Sequence, residues 1–296
     1  MDFDAALARL LRQVPPGLVA TCGDLARALG DAAASKAVAE RVRANPGLAC
    51  RGAVVTADGR PVLTADGGRV GGTEDLAAVH AFTAFRGPAP LRRLRAAQER
   101  GRGRLRLRGP GPVRTVGAVD VAYSGDRAFA AAVIMDGGGE EVIESRTVSA
   151  RTDFPYVPGY LVSRELPVLR AVWRRLRTRP DVLLVDGHGT AHPAGFGIAC
   201  AVGLAFRVPT IGVAKSRLVG TATVHRRGEL APLRYAGKQC GWAYASASPE
   251  RPIYISPGHR VSLQKCAEIV VPLCHNRIPE PARMADALSR EWKRRE

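Results

Sequence analysis

Apolar residues recur at three- and four-residue intervals between Phe3 and Leu11, which predicts an opening helix. The turn Val14-Pro15-Pro16-Gly17 follows, and Thr21 stands where an N-cap is needed for a second helix over 22–29 that Gly30 closes. A third helix over 35–43 carries Lys36, Arg41 and Arg43 and stops before Asn45-Pro46. Two short helices around a turn, the second one basic, predict a helix-turn-helix. Further on, after a helix over 91–99, the pattern predicts strands over 115–122, 128–135 and 141–148. Ser124-Gly125-Asp126 and Gly137-Gly138-Gly139 separate them, and such short loops favour antiparallel pairing. A helix over 159–177, a buried strand over 182–186, a helix over 196–206, a strand over 210–213 and closing helices over 262–273 and 282–294 complete the series. Three meandering strands followed by alternating helix and strand predict an α/β fold, a mixed sheet with flanking helices.

The breakers divide the chain. Gly67-Gly68, Gly71-Gly72 and Gly87-Pro88-Ala89-Pro90 separate two patterned regions. The expected organisation is a small helical, winged helix-turn-helix-like domain over 1–75, a linker over 76–90 and a main domain over 91–296.

Charge changes the picture next. The formal net charge is +17 with a pI near 10.6, which points to a polyanionic partner, nucleic acid ahead of a membrane surface. Residues 1–75 are formally neutral, with nine Lys/Arg and nine Asp/Glu. Residues 86–114 instead hold ten arginines (86, 92, 93, 95, 100, 102, 104, 106, 108, 114) against Glu99 alone, which favours phosphate contact. Nothing reads as a signal peptide or a membrane span, so a cytoplasmic protein is expected. The six cysteines lack CxxC pairing, and reduced thiols are expected.

The acids carry the candidate chemistry. Asp120 interrupts the apolar strand Val116-Gly117-Ala118-Val119-Asp120-Val121-Ala122, and Asp186 closes Val182-Leu183-Leu184-Val185. A carboxylate in an apolar strand costs several kcal/mol unless it is paired or metal-bound. Glu165, early in the helix over 159–177, can reach the same end of the sheet. Carboxylates from separate elements suit Mg²⁺, with Mn²⁺ as a possible substitute. His192 would then orient or deprotonate an attacking water, and Lys215 would neutralise developing charge.

Two resemblances refine this reading. The run from Phe3 to Gly17, Thr21-Cys22-Gly23-Asp24-Leu25-Ala26-Arg27-Ala28-Leu29-Gly30, Ser35-Lys36-Ala37-Val38-Ala39 and Asn45-Pro46 resembles the DNA-binding domain of O6-alkylguanine alkyltransferases and alkyltransferase-like proteins. The resemblance implies a minor-groove recognition helix, with Lys36 at the arginine-finger position and Cys22 at that of the nucleotide-flipping tyrosine. Lys36, Arg41, Arg43 and Arg51 become candidate DNA contacts. The family's Pro-Cys-His-Arg motif is absent. Arg51 falls at the acceptor position, and Cys50 lies one place early without a His beside it. An acceptor thiolate needs a neighbouring base or dipole, so DNA binding without alkyl transfer is expected.

The second resemblance covers residue 91 to near the C-terminus. Tyr156-Val157-Pro158-Gly159-Tyr160-Leu161-Val162-Ser163-Arg164-Glu165, Asp186-Gly187-His188-Gly189-Thr190-Ala191-His192-Pro193, Ile211-Gly212-Val213-Ala214-Lys215-Ser216 and Ser256-Pro257-Gly258-His259-Arg260-Val261-Ser262 strongly resemble endonuclease V, in family order. The implied fold is ribonuclease H-like. The implied activity is recognition of deoxyinosine in single- or double-stranded DNA and hydrolysis of the second phosphodiester bond on its 3′ side. Asp120, Glu165 and Asp186 match the metal-binding acids, and His192, Lys215 and His259 match catalytic or phosphate-side residues. Tyr156, in Pro155-Tyr156-Val157-Pro158, matches the wedge that fills the gap left by a flipped base, while Gly159, Leu161, Gly187, Gly197 and Gly212 would line the base pocket. The expectation is thus a monomeric DNA-repair nuclease. An inosine-specific ribonuclease, another ribonuclease H-like nuclease and a noncatalytic lesion-binding protein are the alternatives.

Overall fold

The computed structural model describes residues 2–45, 52–56, 61–63 and 81–296. The chain forms two compact units. The first comprises residues 1–96 together with 153–160, and the second comprises 97–152 and 161–296. The segment 153–160 thus leaves the half of the sequence in which it lies, a departure that breaker residues could not reveal.

In the first unit α1 (Phe3–Leu11) is capped by Asp2, whose side chain accepts from Ala5 N. Strand β1 (Val19–Thr21) leads into α2 (Cys22–Leu29) through a capping box, with Thr21 Oγ1 accepting from Asp24 N and the Asp24 carboxylate accepting from Thr21. Gly30 ends the helix at φ +112°, a conformation that spares it the Cβ penalty. A 3₁₀ turn over Ala32–Ala34 joins α2 to α3 (Ser35–Ala44), which completes the helix-turn-helix. Strands β2 (Ala53–Val55) and β3 (Pro61–Leu63) extend β1 into a three-stranded wing, parallel and then antiparallel. Phe3, Leu7, Leu11, Leu25, Leu29 and Val38 form the core, and Phe154, Val157 and Tyr160 join it.

Helix α4 (Pro90–Arg102) precedes an eight-stranded sheet in the second unit. Strands β4 (Thr115–Ser124), β5 (Arg127–Asp136) and β6 (Val142–Arg151) form the expected antiparallel meander. Helix α5 (Leu161–Arg175), β7 (Val182–Asp186), α6 (Ile198–Phe206) and β8 (Thr210–Ala214) add two parallel pairings, β4 with β7 and β7 with β8. Strands β9 (Leu230–Tyr235), β10 (Lys238–Tyr244) and β11 (Ile253–His259) extend the sheet antiparallel to the order β6-β5-β4-β7-β8-β11-β10-β9. Helices α7 (Leu263–Val270) and α8 (Glu280–Arg295) close the chain.

Strand side chains alternate between faces. Val119 and Val185 pack with Val168, Leu169 and Trp173 of α5 and Ile198 of α6. Val116, Ala118, Val182 and Leu184 point the other way, in a core with Cys266 and Val270 of α7 and Ala285 of α8. The sheet therefore separates two helical layers, and burying each of these valine, leucine and isoleucine side chains contributes about 1.5–3 kcal/mol.

Candidate active site

The two-residue period decides where the acids go. Asp120 is in phase with Val116 and Ala118, and Asp186 with Val182 and Leu184, so both belong to the face covered by α8. The parallel register Val119↔Val185 then sets Asp120 beside Asp186 at the carboxyl end of β7. Helix α8 adds Asp286, and oxygens of Asp120, Asp186 and Asp286 lie within 4.8 Å of one another. Ser289, one turn after Asp286, donates to Asp120 Oδ2 at 2.5 Å. Lys215, which follows β8, donates to Asp186 Oδ2 at 2.7 Å and Asp286 Oδ1 at 2.8 Å.

Glu165 approaches from α5, on the opposite helical layer, and accepts a hydrogen bond from Tyr123 OH at 3.2 Å. It stands beside the aspartate set rather than within it. Burial, then the charge of Asp186, pushes the Asp120 carboxyl up to about 7. Burial, then Asp186 and Asp120, pushes Glu165 up to about 8. Burial opposes charge on Lys215, but its bonds to Asp186 and Asp286 outweigh that and raise its pKa. Buried acids that repel one another, satisfied in part by one ammonium, suit a divalent cation held by oxygen ligands.

The turn after β7 depends on glycine at two points. Gly187 has φ +137°, and a Cβ there would lie 2.6 Å from Ile198 Cγ2 and 3.8 Å from Leu161 Cδ2. Gly212, inside β8, lets the chain pass so closely that an added Cβ would stand 2.4 Å from Gly189 N and 2.6 Å from Gly187 O. Gly187, Leu161 and Ile198 thus form one wall. Gly197 N donates to Gly189 O at 2.9 Å and closes the turn. His192 is buried within it, and its Nδ1 accepts from Ala194 N at 3.1 Å. His188, given no role by the sequence, meets Ser216 O through Nε2 at 3.0 Å.

His259, expected as a catalytic or phosphate-side residue, does not join the acids. Antiparallel pairing sets it against Thr210 at the start of β8, whereas Asp186 pairs with Val213 near the strand's end. It lies three residues, roughly 10 Å, along the strand from the level of Asp186, at about 3.3 Å per residue. There its Nδ1 accepts from Arg106 N at 3.3 Å, and burial followed by Arg260, Arg106 and Arg104 lowers its pKa. The direction of β11 excludes it from the carboxylate cluster.

In the first unit Tyr156 is 57% exposed, between the buried Phe154 and Val157. Pro158 is exposed, and Gly159 adopts φ +83° in the same turn. Lys36 and Arg43 are exposed on α3. Arg41 turns inward, with Nε 3.3 Å from Asp4 and NH2 donating to Asp153 O at 2.9 Å, so it is no free DNA contact. Cys22 is buried, which pushes its thiol up to about 11. Cys50 and Arg51 lie outside the described residues. Cys22, Cys200, Cys240, Cys266 and Cys274 are all free thiols.

Sequence reading missed Asp286. One signal for it exists: Asp286 follows Ala285 and precedes Ser289 by one turn, on the helix stripe that buries both.

Both parts of the chain have known relatives. The profile of the Endonuclease V family matches residues 100–287, and that of the 6-O-methylguanine DNA methyltransferase DNA binding domain matches residues 2–67. An Endonuclease V of Roseiflexus sp. (strain RS-1) is 42% identical over 206 residues, 68% of this chain and 93% of the relative. The crystal structure of the Endonuclease V from Streptomyces avermitilis shares 38% identity and superposes with a TM-score of 0.65, over 70% of this chain and 95% of that one. Ciona intestinalis Endonuclease V, solved with a 24mer DNA containing an inosine followed by a ribo-adenosine, shares 26% identity at a TM-score of 0.63, over 71% of this chain and 100% of its own. With an alkyltransferase-type DNA-binding domain in front, the chain belongs to the endonuclease V family.

Proposed function

We propose that this metal-dependent endonuclease recognises deoxyinosine in DNA and hydrolyses the second phosphodiester bond 3′ to it, leaving 3′-hydroxyl and 5′-phosphate ends. The observation that carries the reading is the meeting of Asp120, Asp186 and Asp286 within 4.8 Å. The family match and the inosine-containing DNA bound by the Ciona relative support the choice of substrate.

Asp120, Asp186 and Asp286 would hold Mg²⁺, or Mn²⁺ in its place, with Glu165 beside them. When bound, the cation supplies charge stabilisation at the scissile phosphate and the leaving oxygen. The chain's own groups prepare the site. Lys215 fixes Asp186 and Asp286 and brings a positive charge to where negative charge develops. His192, held in the turn by Ala194 N donating to its Nδ1, orients an attacking water or a phosphate oxygen. His259 takes no step in hydrolysis and lies buried beneath the basic Arg104, Arg106 and Arg260.

Gly187, Leu161, Gly197 and Gly212 of the second unit serve the base pocket, where close backbone can read a six-keto edge, and Tyr156 serves as the wedge. Flipping costs a few kcal/mol of stacking, which an inserted aromatic offsets in part. The front domain binds DNA through Lys36 and Arg43 and transfers no alkyl group, and the protein acts as a monomer.

An end-labelled duplex with one inosine, incubated with Mg²⁺, should be cut one nucleotide past the lesion while an adenine control stays intact. Absence of incision, or equal cutting of both, overturns the reading. The ribo-adenosine in the Ciona complex makes inosine-containing RNA the second reading. The same assay on RNA separates the two by relative rate.

A further inference from the structure

The segment Asp153–Tyr160 lies inside the match to endonuclease V, yet it packs within the unit matched to the alkyltransferase DNA-binding domain. Its anchors are specific. Phe154 meets the Phe3 ring edge-on at 5.8 Å, and both rings are buried. Tyr160 OH donates to Asp31 Oδ2 at 2.6 Å, and Arg95 NH2 donates to the same oxygen at 2.5 Å. Arg41 NH2 holds Asp153 O, and Val157 is 1% exposed in the shared core. Between these fixed points Tyr156 alone of the segment's aromatic residues faces outward.

We infer that the front unit is the mount of the Tyr156 loop: Asp31, Arg95, Arg41 and Phe3 are positioning residues that hold the wedge ready for a base stack. The inference rests on the reading of Tyr156 as a wedge and goes beyond it, because it gives the front unit a part in lesion extraction. Rigid support matters here. A wedge already ordered before binding loses less conformational entropy on entering the duplex, and a misplacement of about 1 Å can cost up to 10²-fold in rate. It also accounts for Arg41, which a DNA-binding helix would otherwise direct outward. The segment runs directly through Leu161 into α5, the helix that carries Glu165.

The test uses the full chain and compares single-turnover incision of inosine in duplex DNA with incision of the same inosine in single-stranded DNA, where no stack has to be filled. The variants are Tyr160→Phe, Asp31→Asn and Phe154→Leu, with Tyr156→Ala as the reference for loss of the wedge. The expected result is a fall of about tenfold in the duplex to single-strand rate ratio for Tyr160→Phe and Asp31→Asn, in the direction set by Tyr156→Ala. Fluorescence of 2-aminopurine beside the lesion should report less unstacking in the same variants. An unchanged ratio in the mount variants, while Tyr156→Ala lowers it, overturns the inference and leaves the wedge intact. An unchanged ratio in Tyr156→Ala overturns the wedge and the mount together, and a wild-type protein that leaves inosine DNA uncut overturns the proposed function itself. Equal losses on both substrates with a lowered melting temperature assign these contacts to stability alone, which also overturns the inference.

Discussion

Asp120 and Glu165 are 8% and 9% exposed, and their carboxyls titrate near 7 and 8 rather than near 4. Between about pH 4 and 8 the folded, metal-free protein therefore keeps protons that the unfolded chain has released. Unfolding then releases protons, so stability falls as pH rises through that window. Thermal melts of the metal-free protein should show a Tm several degrees lower at pH 8 than at pH 5, and added Mg²⁺ should raise Tm more at pH 8. A flat profile would contradict the burial of these acids. Asp120→Asn removes the ionisation while keeping the shape. It should lower incision on the order of 10³-fold, leave DNA binding in place and raise the metal-free Tm at pH 8.

At the scale of elements, β7 and β8 were legible because each is a short apolar run between breakers. Strands β9, β10 and β11 were not. Leu230–Tyr235 contains Pro232, Lys238–Tyr244 contains Gly241 at a register shift, and Ile253–His259 contains Pro257 and Gly258 at another. Proline and glycine weaken strand propensity, and bulges break the two-residue period. Their pairing comes from the sheet edge that β8 offers. The close pass of β8 under the Asp186 turn yields a prediction of its own. In Gly212→Ala the new Cβ meets backbone at 2.4 Å, which no side-chain rotation relieves. Destabilisation of about 1–3 kcal/mol is expected, read as a lower denaturation midpoint, together with weaker discrimination between inosine and adenine.

For the whole molecule, charge sets how DNA is approached. Arg100, Arg104 and Arg108 are exposed in the second unit, within a chain of net charge +17. Changing all three to Gln should weaken binding about equally for inosine and control DNA. The slope of log affinity against log salt should fall by about 0.9 for each duplex phosphate that these side chains no longer neutralise. Fluorescence anisotropy across a KCl series measures both, and a weakening confined to inosine DNA would show that these arginines read the lesion instead.

Local order determined much of this protein. The helix-turn-helix with its Thr21 cap and Gly30 stop, the β4–β6 meander, and the placement of Asp120 and Asp186 on apolar strands all follow from periodicity and capping over a few residues. Tertiary structure alone decided which side chains meet. Asp286 reaches Asp120 because α8 covers the face on which residues 116, 118 and 120 alternate, while His259 leaves the site because β11 runs antiparallel to β8. Likewise, Asp153–Tyr160 packs with the front unit because Phe154, Val157 and Tyr160 find their apolar and hydrogen-bonding partners more than a hundred residues back. Which distant segments meet depends on strand direction and on which apolar surfaces remain uncovered, and neither is written in the spacing of neighbours along the chain.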